Sequence, residues 1–338
     1  MNPIWVDDQG ALVGDGPFTI TDPGPGPSRY GASLDLLRSS GHETAFASFS
    51  FDPEEAGSVL VIPERVRVTD PPHISGGVAT SVVVDDGVAT WRAGFRQAMT
   101  SLQAGSLEKV VLARQMTIEA PEYIDPSPIV AKLAGAGRAD YVFGVEGLVG
   151  ASPELLVSLR GDRVSSLALA GTSSDPAELT SPKIIEEHRH AAESVQRSLA
   201  AGLSDIEEVS QVIVTHGAVS HLGTRLIGRA RPGTSVTDLL GALHPTAAVA
   251  GTPASAAMGL IRQIEPRSRG RYSGPVGWFD TRGQGVFAIA LRCGLITGNR
   301  ITLYGGGGLV AGSEEEPELM ETEMKMKTML LALDQSPS

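Results

Sequence analysis

Cysteine is almost missing: the 338 residues contain one, Cys293. An intramolecular disulfide is excluded, and a cytoplasmic protein is the default expectation. Long apolar runs are missing too, none approaching the roughly 20 residues that cross a bilayer. The start, Met1-Asn2-Pro3-Ile4-Trp5, has no basic stretch followed by an apolar one, so no signal peptide and no membrane association are expected. Positive charge is scarce, with 27 Lys and Arg against 39 Asp and Glu and a formal net charge of −12. That argues against a nucleic-acid partner held by bulk electrostatics. An anionic substrate would need a local positive site, made by a metal or by a few placed Lys and Arg. What is plentiful is glycine (40) and proline (22) in a chain that is 41% hydrophobic, the composition of a turn-rich soluble globular protein.

The first 85 residues read as a strand-rich N-terminal portion. Asp22 to Pro27 is a loop by composition. Ala45–Phe51 alternates apolar and polar residues, and Ser58–Pro63, Arg65–Val68 and Ala79–Val84 have strand character. From Thr90 the period becomes helical, with Trp91, Phe95, Ala98, Met99 and Leu102 on one face and Gly105 as a stop. Strands are predicted at Lys109–Arg114, Tyr141–Val145, Leu155–Leu159 and Val164–Leu169, and again at Gly274–Phe279, Val286–Leu291 and Ile301–Tyr304. Helices are predicted over Pro182–Leu199, with Ser181 as N-cap, over Thr237–Leu243 and over Pro317–Leu333. Runs of strands separated by single helices point to an α+β fold with antiparallel sheets. No linker divides the chain, so 1–338 is expected to be a single domain.

Several charged residues stand where chemistry is possible. Glu318, Glu321 and Lys325 share one face of the last helix; on spacing alone they also suit a solvated face with an ordinary i,i+4 pair. Glu187 lies at the margin of an apolar stripe formed by Ile184, Ala191, Val195 and Leu199. It is either a snorkelling edge residue or a hard-metal ligand, since magnesium takes one or two carboxylates and leaves its other positions to water and substrate. Lys109 and Glu154 each stand at the entrance of an apolar strand, where solvated edge residues are common. His244-Pro245-Thr246 suits a turn. Gly305 to Gly308 lets backbone approach a ligand closely, but it lacks the spacing of a nucleotide-binding loop.

In order along the chain, these pieces resemble the chorismate-binding enzyme family, which includes isochorismate, salicylate, anthranilate and aminodeoxychorismate synthases. The matching segments are Lys109-Val110-Val111-Leu112-Ala113-Arg114, Ala151-Ser152-Pro153-Glu154, Leu169-Ala170-Gly171-Thr172, Lys183 to His188 and Leu243-His244-Pro245-Thr246. They continue with Tyr272 to Trp278, Leu291-Arg292-Cys293, Tyr304 to Gly308, and Glu321-Thr322 with Lys325. The resemblance covers residues 88–333 and implies the chorismate-binding fold, antiparallel sheets packed together and flanked by helices. It implies Mg²⁺ held by Glu187 and Glu321, with Glu318 nearby, so that the metal neutralises the ring carboxylate of chorismate. Arg292, helped by Tyr272, would hold the enolpyruvyl carboxylate. Gly171, Thr172 and Gly306 match substrate-receiving loops, Lys325 matches a lysine at the carboxylate end, and His244 and Thr246 fall on the substrate side. Relatives of this branch are commonly monomers, which is the expectation here.

Within the family, the resemblance makes Lys109 the base that activates water and Glu154 the acid that protonates a departing hydroxyl. Ammonia-using members usually carry Gln in place of Lys109, and aminodeoxychorismate synthases a Lys in place of Ala170. Both positions point to the water-using branch and to isochorismate synthase. Salicylate synthase, which goes on to eliminate pyruvate, shares the same set and remains an alternative, as does a non-catalytic chorismate-binding homologue. The product would feed menaquinone, siderophore or salicylate-derived pathways. Ser173 to Pro182 is about half as long as in relatives, which puts water exclusion beside the site in question.

Overall fold

The structure, a computed structural model, describes residues 1–73, 81–136, 141–173, 179, 182–216 and 219–333. The N-terminal portion contributes β1 (Ile4–Asp7), β2 (Gly10–Thr21), α1 (Arg29–Ser40), β3 (Thr44–Ser48), β4 (Val59–Thr69) and β5 (Val82–Asp85). Then come α2 (Val88–Gln103), β6 (Lys109–Glu119), α3 (Pro126–Gly135), β7 (Tyr141–Val145), β8 (Leu148–Ser152), β9 (Leu155–Arg160) and β10 (Arg163–Ser173). The middle holds α4 (Pro182–Leu199), β11 (Leu203–His216), β12 (Val219–Ala230), α5 (Val236–Leu243), β13 (Gly251–Thr252) and α6 (Ala254–Ile264). The chain closes with β14 (Pro275–Asp280), β15 (Gly285–Ile289), β16 (Cys293–Thr297), β17 (Arg300–Leu309) and α7 (Glu315–Leu333).

All described pairings are antiparallel and run through one continuous sheet. Its order is β5-β6-β17-β16-β8-β7-β1-β2-β4-β3-β14-β15-β9-β10-β12-β11, with the short β13 beside β6. Strands β1 to β4 are therefore woven into the middle of the sheet, between β7 and β14, while β5 lies at its edge beside β6. The sheet curls on itself. One apolar cluster joins strand residues, including Trp5, Phe46, Phe143 and Val276. A second packs α1, α2, α5 and α6 on the sheet through residues such as Leu37, Trp91, Leu240 and Ile261. A third seats α3 and α7 through Ile129, Met326 and Met329. Each fully buried large apolar side chain contributes on the order of 1.5–3 kcal/mol.

The structure departs from the sequence-based expectations in instructive places. Gly305–Gly308 is not a loop: it belongs to β17, which pairs with β6 over ten residues. Gly171 and Thr172 likewise lie in β10, beside a bulge in its pairing with β12. The turn-rich N-terminal portion contains a helix, α1, after the proline loop. Its two expected strands around Pro63 are one, β4. No helix among the described residues is long and apolar enough to cross a membrane.

Candidate active site

The four glycines of β17 form a floor without side chains, and functional groups lie against both of its faces. Successive strand residues point to opposite sides. On one side, a Cβ at Gly305 would stand 2.4 Å from the backbone oxygen of Thr322 in α7. A Cβ at Gly307 would stand 3.2 Å from Glu318 Oε2 and 3.7 Å from Glu321 Oε1. On the other side, a Cβ at Gly306 would stand 2.9 Å from the Tyr272 hydroxyl, and one at Gly308 would stand 2.5 Å from Lys109 Cε. Pairing sets this arrangement, because Gly308 lies opposite Val111 and Gly306 opposite Ala113 on β6.

Two substitutions separate the roles of these glycines. Gly308→Ala is expected to push aside only the end of a flexible lysine, keeping the melting temperature while lowering turnover roughly 10²-fold through misplacement. Gly305→Ala meets helix backbone instead and is expected to lower stability by about 1–3 kcal/mol. Thermal melts and steady-state rates of the two variants check the pair.

Glu154 enters β9 almost fully buried, at 5% exposure. Its backbone is held at both ends: its N–H donates to Ser152 Oγ at 3.2 Å, and its carbonyl accepts from Ile289 N–H at 3.1 Å. Burial pushes the carboxyl up to about 8, against the pull of the Leu169 N–H and of the Lys109 and Lys325 charges. Near neutral pH it is therefore mostly an acid with a proton to give. The lysine expected as its counterpart, Lys109, is close enough for its charge to act on that carboxyl.

Helix α7 brings the next group. Lys325 Nζ donates to the Gly306 carbonyl at 2.8 Å and pairs with Glu321 one turn earlier. Glu318 accepts from Ser313 Oγ at 2.7 Å, and its pKa is raised by burial and by the neighbouring Glu321 charge. Ser313 had no signal in the sequence. The helix is fastened by Arg92, which binds Glu315 and Glu316, and by buried Arg114, whose Nη1 reaches Thr322 Oγ1 and Glu323 Oε1, each at 3.3 Å. Two carboxylates converging on one spot, one of them resisting ionisation, suit a hard divalent cation with oxygen ligands. Among the described residues no three acidic, His or Cys side chains converge. The side chain of Glu187, the further carboxylate expected on α4, lies outside the described residues, as do those of Gly171 and Thr172 and the positions 174–178, 180 and 181.

The side expected to hold an anion is built from strained backbone. Arg292 is buried and has φ +47°, and Ser273, next to Tyr272, has φ +63°. Side chains other than glycine rarely adopt this region, at roughly 1–3 kcal/mol each, so the surrounding pairing must impose it. The Arg292 carbonyl accepts from Ala151 N–H at 3.2 Å, and Ser273 N–H donates to Ala290 O at 2.9 Å. Tyr272 stacks on Tyr304 with centroids 4.8 Å apart. Burial pushes its phenol up to about 12, so it stays a neutral donor. The Arg292 charge reaches it. Thr246 Oγ1 is buried with no hydrogen-bond partner among the described residues, as a hydroxyl awaiting a ligand would be. His244 differs from the expectation. Its Nδ1 meets the Tyr30 hydroxyl at 3.2 Å and its Nε2 the Ser273 carbonyl at 3.1 Å, so both ring nitrogens are spent on the protein and none faces a substrate.

Residues 78–334 match the family model described as chorismate binding enzyme. The chain belongs to the chorismate-binding enzyme family. This chorismate-binding enzyme is 34% identical to isochorismate synthase DhbC of Bacillus subtilis over 315 residues, covering 84% of the chain and 79% of that protein. It is also 34% identical to isochorismate synthase MenF of the same organism, over 259 residues and 72% of the chain, but spans only 55% of that protein's length. The crystal structure of DhbC from Bacillus anthracis matches with a TM-score of 0.89 at 30% identity, covering 99% of this chain and 96% of that one. The structural likeness therefore includes β1 to β4 and α1, which precede the family match.

Proposed function

We propose that this protein is a magnesium-dependent isochorismate synthase, converting chorismate to isochorismate. The observation that carries the reading is Glu154: a buried carboxyl with its pKa near 8, within electrostatic reach of Lys109. Moving a hydroxyl from C4 to C2 requires water activated on one side and a hydroxide leaving on the other, so it calls for a base and an acid. Lys109, entering this step as the free amine, takes a proton from water as its oxygen bonds to C2. The ring double bonds shift, the C4–O bond breaks, and Glu154 gives its proton to the departing hydroxyl. One water enters and one leaves, so the reaction is a net isomerisation. Arg292 and Tyr272 bind the enolpyruvyl carboxylate, and Thr246 offers its hydroxyl.

Glu321 and Glu318, with Glu187, would hold Mg²⁺. When bound, the ion neutralises the ring carboxylate in a protein whose net charge is −12. Lys325, which holds the Gly306 carbonyl and Glu321 together, keeps that carboxylate in place. The names of the two Bacillus subtilis relatives support the same activity. Incubation with chorismate and Mg²⁺ followed by chromatography tests the proposal. Isochorismate as sole product is expected. Salicylate with pyruvate would instead make it a salicylate synthase, and an ammonia-dependent amino product would move it to another branch. Binding without conversion would leave a non-catalytic homologue.

A further inference from the structure

Helix α1 begins with a buried cation that faces neither solvent nor the candidate site. Arg29 is fully buried. Its Nη1 donates to Asp52 O at 3.3 Å, and its Nη2 donates to Ser50 O at 3.1 Å and to the Tyr30 hydroxyl at 2.8 Å. A guanidinium only donates, so the Tyr30 oxygen is an acceptor in that bond. Its own proton is then free to go to His244 Nδ1, 3.2 Å away. A neutral imidazole carries one proton, and with Nδ1 accepting, that proton sits on Nε2. There it donates to the Ser273 carbonyl at 3.1 Å. Each link has one donor and one acceptor, and both ends, the donating guanidinium and the accepting carbonyl, demand the same direction. Burial, with the Arg29 charge, lowers the ring's pKa to about 3, so it stays neutral.

The relay ends on the Ser273 carbonyl, in the peptide that follows the one joining Tyr272 to Ser273. Ser273 is held at φ +63°, a conformation that persists only where the surroundings over-determine it, and the His244 bond joins those of Ser273 N–H to Ala290 O and Gly274 N–H to Arg271 O in doing so. Tyr272 precedes it, and its hydroxyl lies over Gly306. We propose that Arg29 and Tyr30, which lie outside the family match, are positioning residues for substrate binding. They fix the His244 tautomer that holds the Ser273 carbonyl, and so keep Tyr272 aimed at the anion-binding side. The inference rests on the reading of Tyr272 as a substrate contact.

Tyr30→Phe tests it with little disturbance, because the ring keeps its edge contact with Phe49 at 4.7 Å. The variant is expected to raise KM for chorismate about five- to tenfold, the scale of one neutral hydrogen bond. The expected kcat lies within about twofold of wild type, on the same scale. Tyr272→Phe should raise KM comparably, and in that background Tyr30→Phe should add nothing, since residues acting through one another are not additive. Long-range ¹H–¹⁵N NMR of the His244 ring should show the Nε2–H tautomer in the wild type and a changed pattern in Tyr30→Phe. An Nδ1–H tautomer in the wild type would overturn the relay. Equal effects of Tyr30→Phe with and without Tyr272→Phe, or an effect confined to the melting temperature, would overturn the positioning role. If Tyr272→Phe itself leaves KM unchanged, the underlying reading of the site falls instead.

Discussion

Lys109→Ala is expected to lower isochorismate formation by about 10²–10⁴-fold, the range that a positioned base supplies, while Mg²⁺ binding measured by calorimetry persists. The lysine begins β6, where its neighbour across the sheet is Thr252 of β13. The burial that seats this strand comes from Val110, Val111 and Leu112, not from the lysine. Removing its side chain should therefore leave the fold and the carboxylates of α7 in place. Turnover within severalfold of wild type would remove Lys109 from the mechanism. Loss of Mg²⁺ binding along with turnover would show instead that the lysine supports the metal side.

Glu154→Gln should inactivate the enzyme by a similar factor and at the same time stabilise it, by an amount that depends on pH. The sign follows from the raised pKa. Unfolded, the carboxyl ionises near its ordinary value of 4.5; folded, it holds its proton up to about 8. Between those values the native state binds more protons than the unfolded state, so this group makes the wild type lose stability as pH rises through the window. The loss is on the order of 1.4 kcal/mol per pH unit, and it ends above the folded pKa. Glutamine does not titrate. The stability gap in favour of the variant should widen from about pH 5 to about pH 8, as urea titrations at several pH values would show. In the wild type, kcat should fall as pH rises past about 8, because the acid has lost its proton. A gap that does not vary with pH would mean that the native carboxyl titrates like an exposed one.

Elements with a strong period were legible in the sequence. Helical spacing marked α2, α4 and α7, and continuous apolar runs marked β6, β7 and β9. Others were not, for physical reasons. β11 and β12 are long paired strands with many polar residues, and β11 leaves Val209 and Ile213 exposed, so no buried run announces them. Glycine is a poor strand former, yet the Gly305–Gly308 tract is a strand because ten paired positions on β6 outweigh that preference. At the site, spacing alone left Glu318, Glu321 and Lys325 on what looked like a solvated face, and it took the family resemblance to favour chemistry. The burial of the Thr246 hydroxyl, which has no partner among the described residues, depends on tertiary contact. So does the meeting of Tyr30 with His244, which joins residues 214 positions apart.

The single sheet has a mechanical consequence. β6 and β17, which carry Lys109 and the glycine floor, stand near one end of the strand order, and β9, which carries Glu154, stands near the other. Lys109 and Glu154 are neighbours only because the ribbon has come round on itself. Their proximity is thus a property of closure and belongs to no local segment. Such sequence-distant contacts make for slow assembly. A change in the curl, even far from either residue, would alter the gap between Lys109 and Glu154, so under the proposed mechanism turnover acts as a gauge of how completely the ribbon has closed.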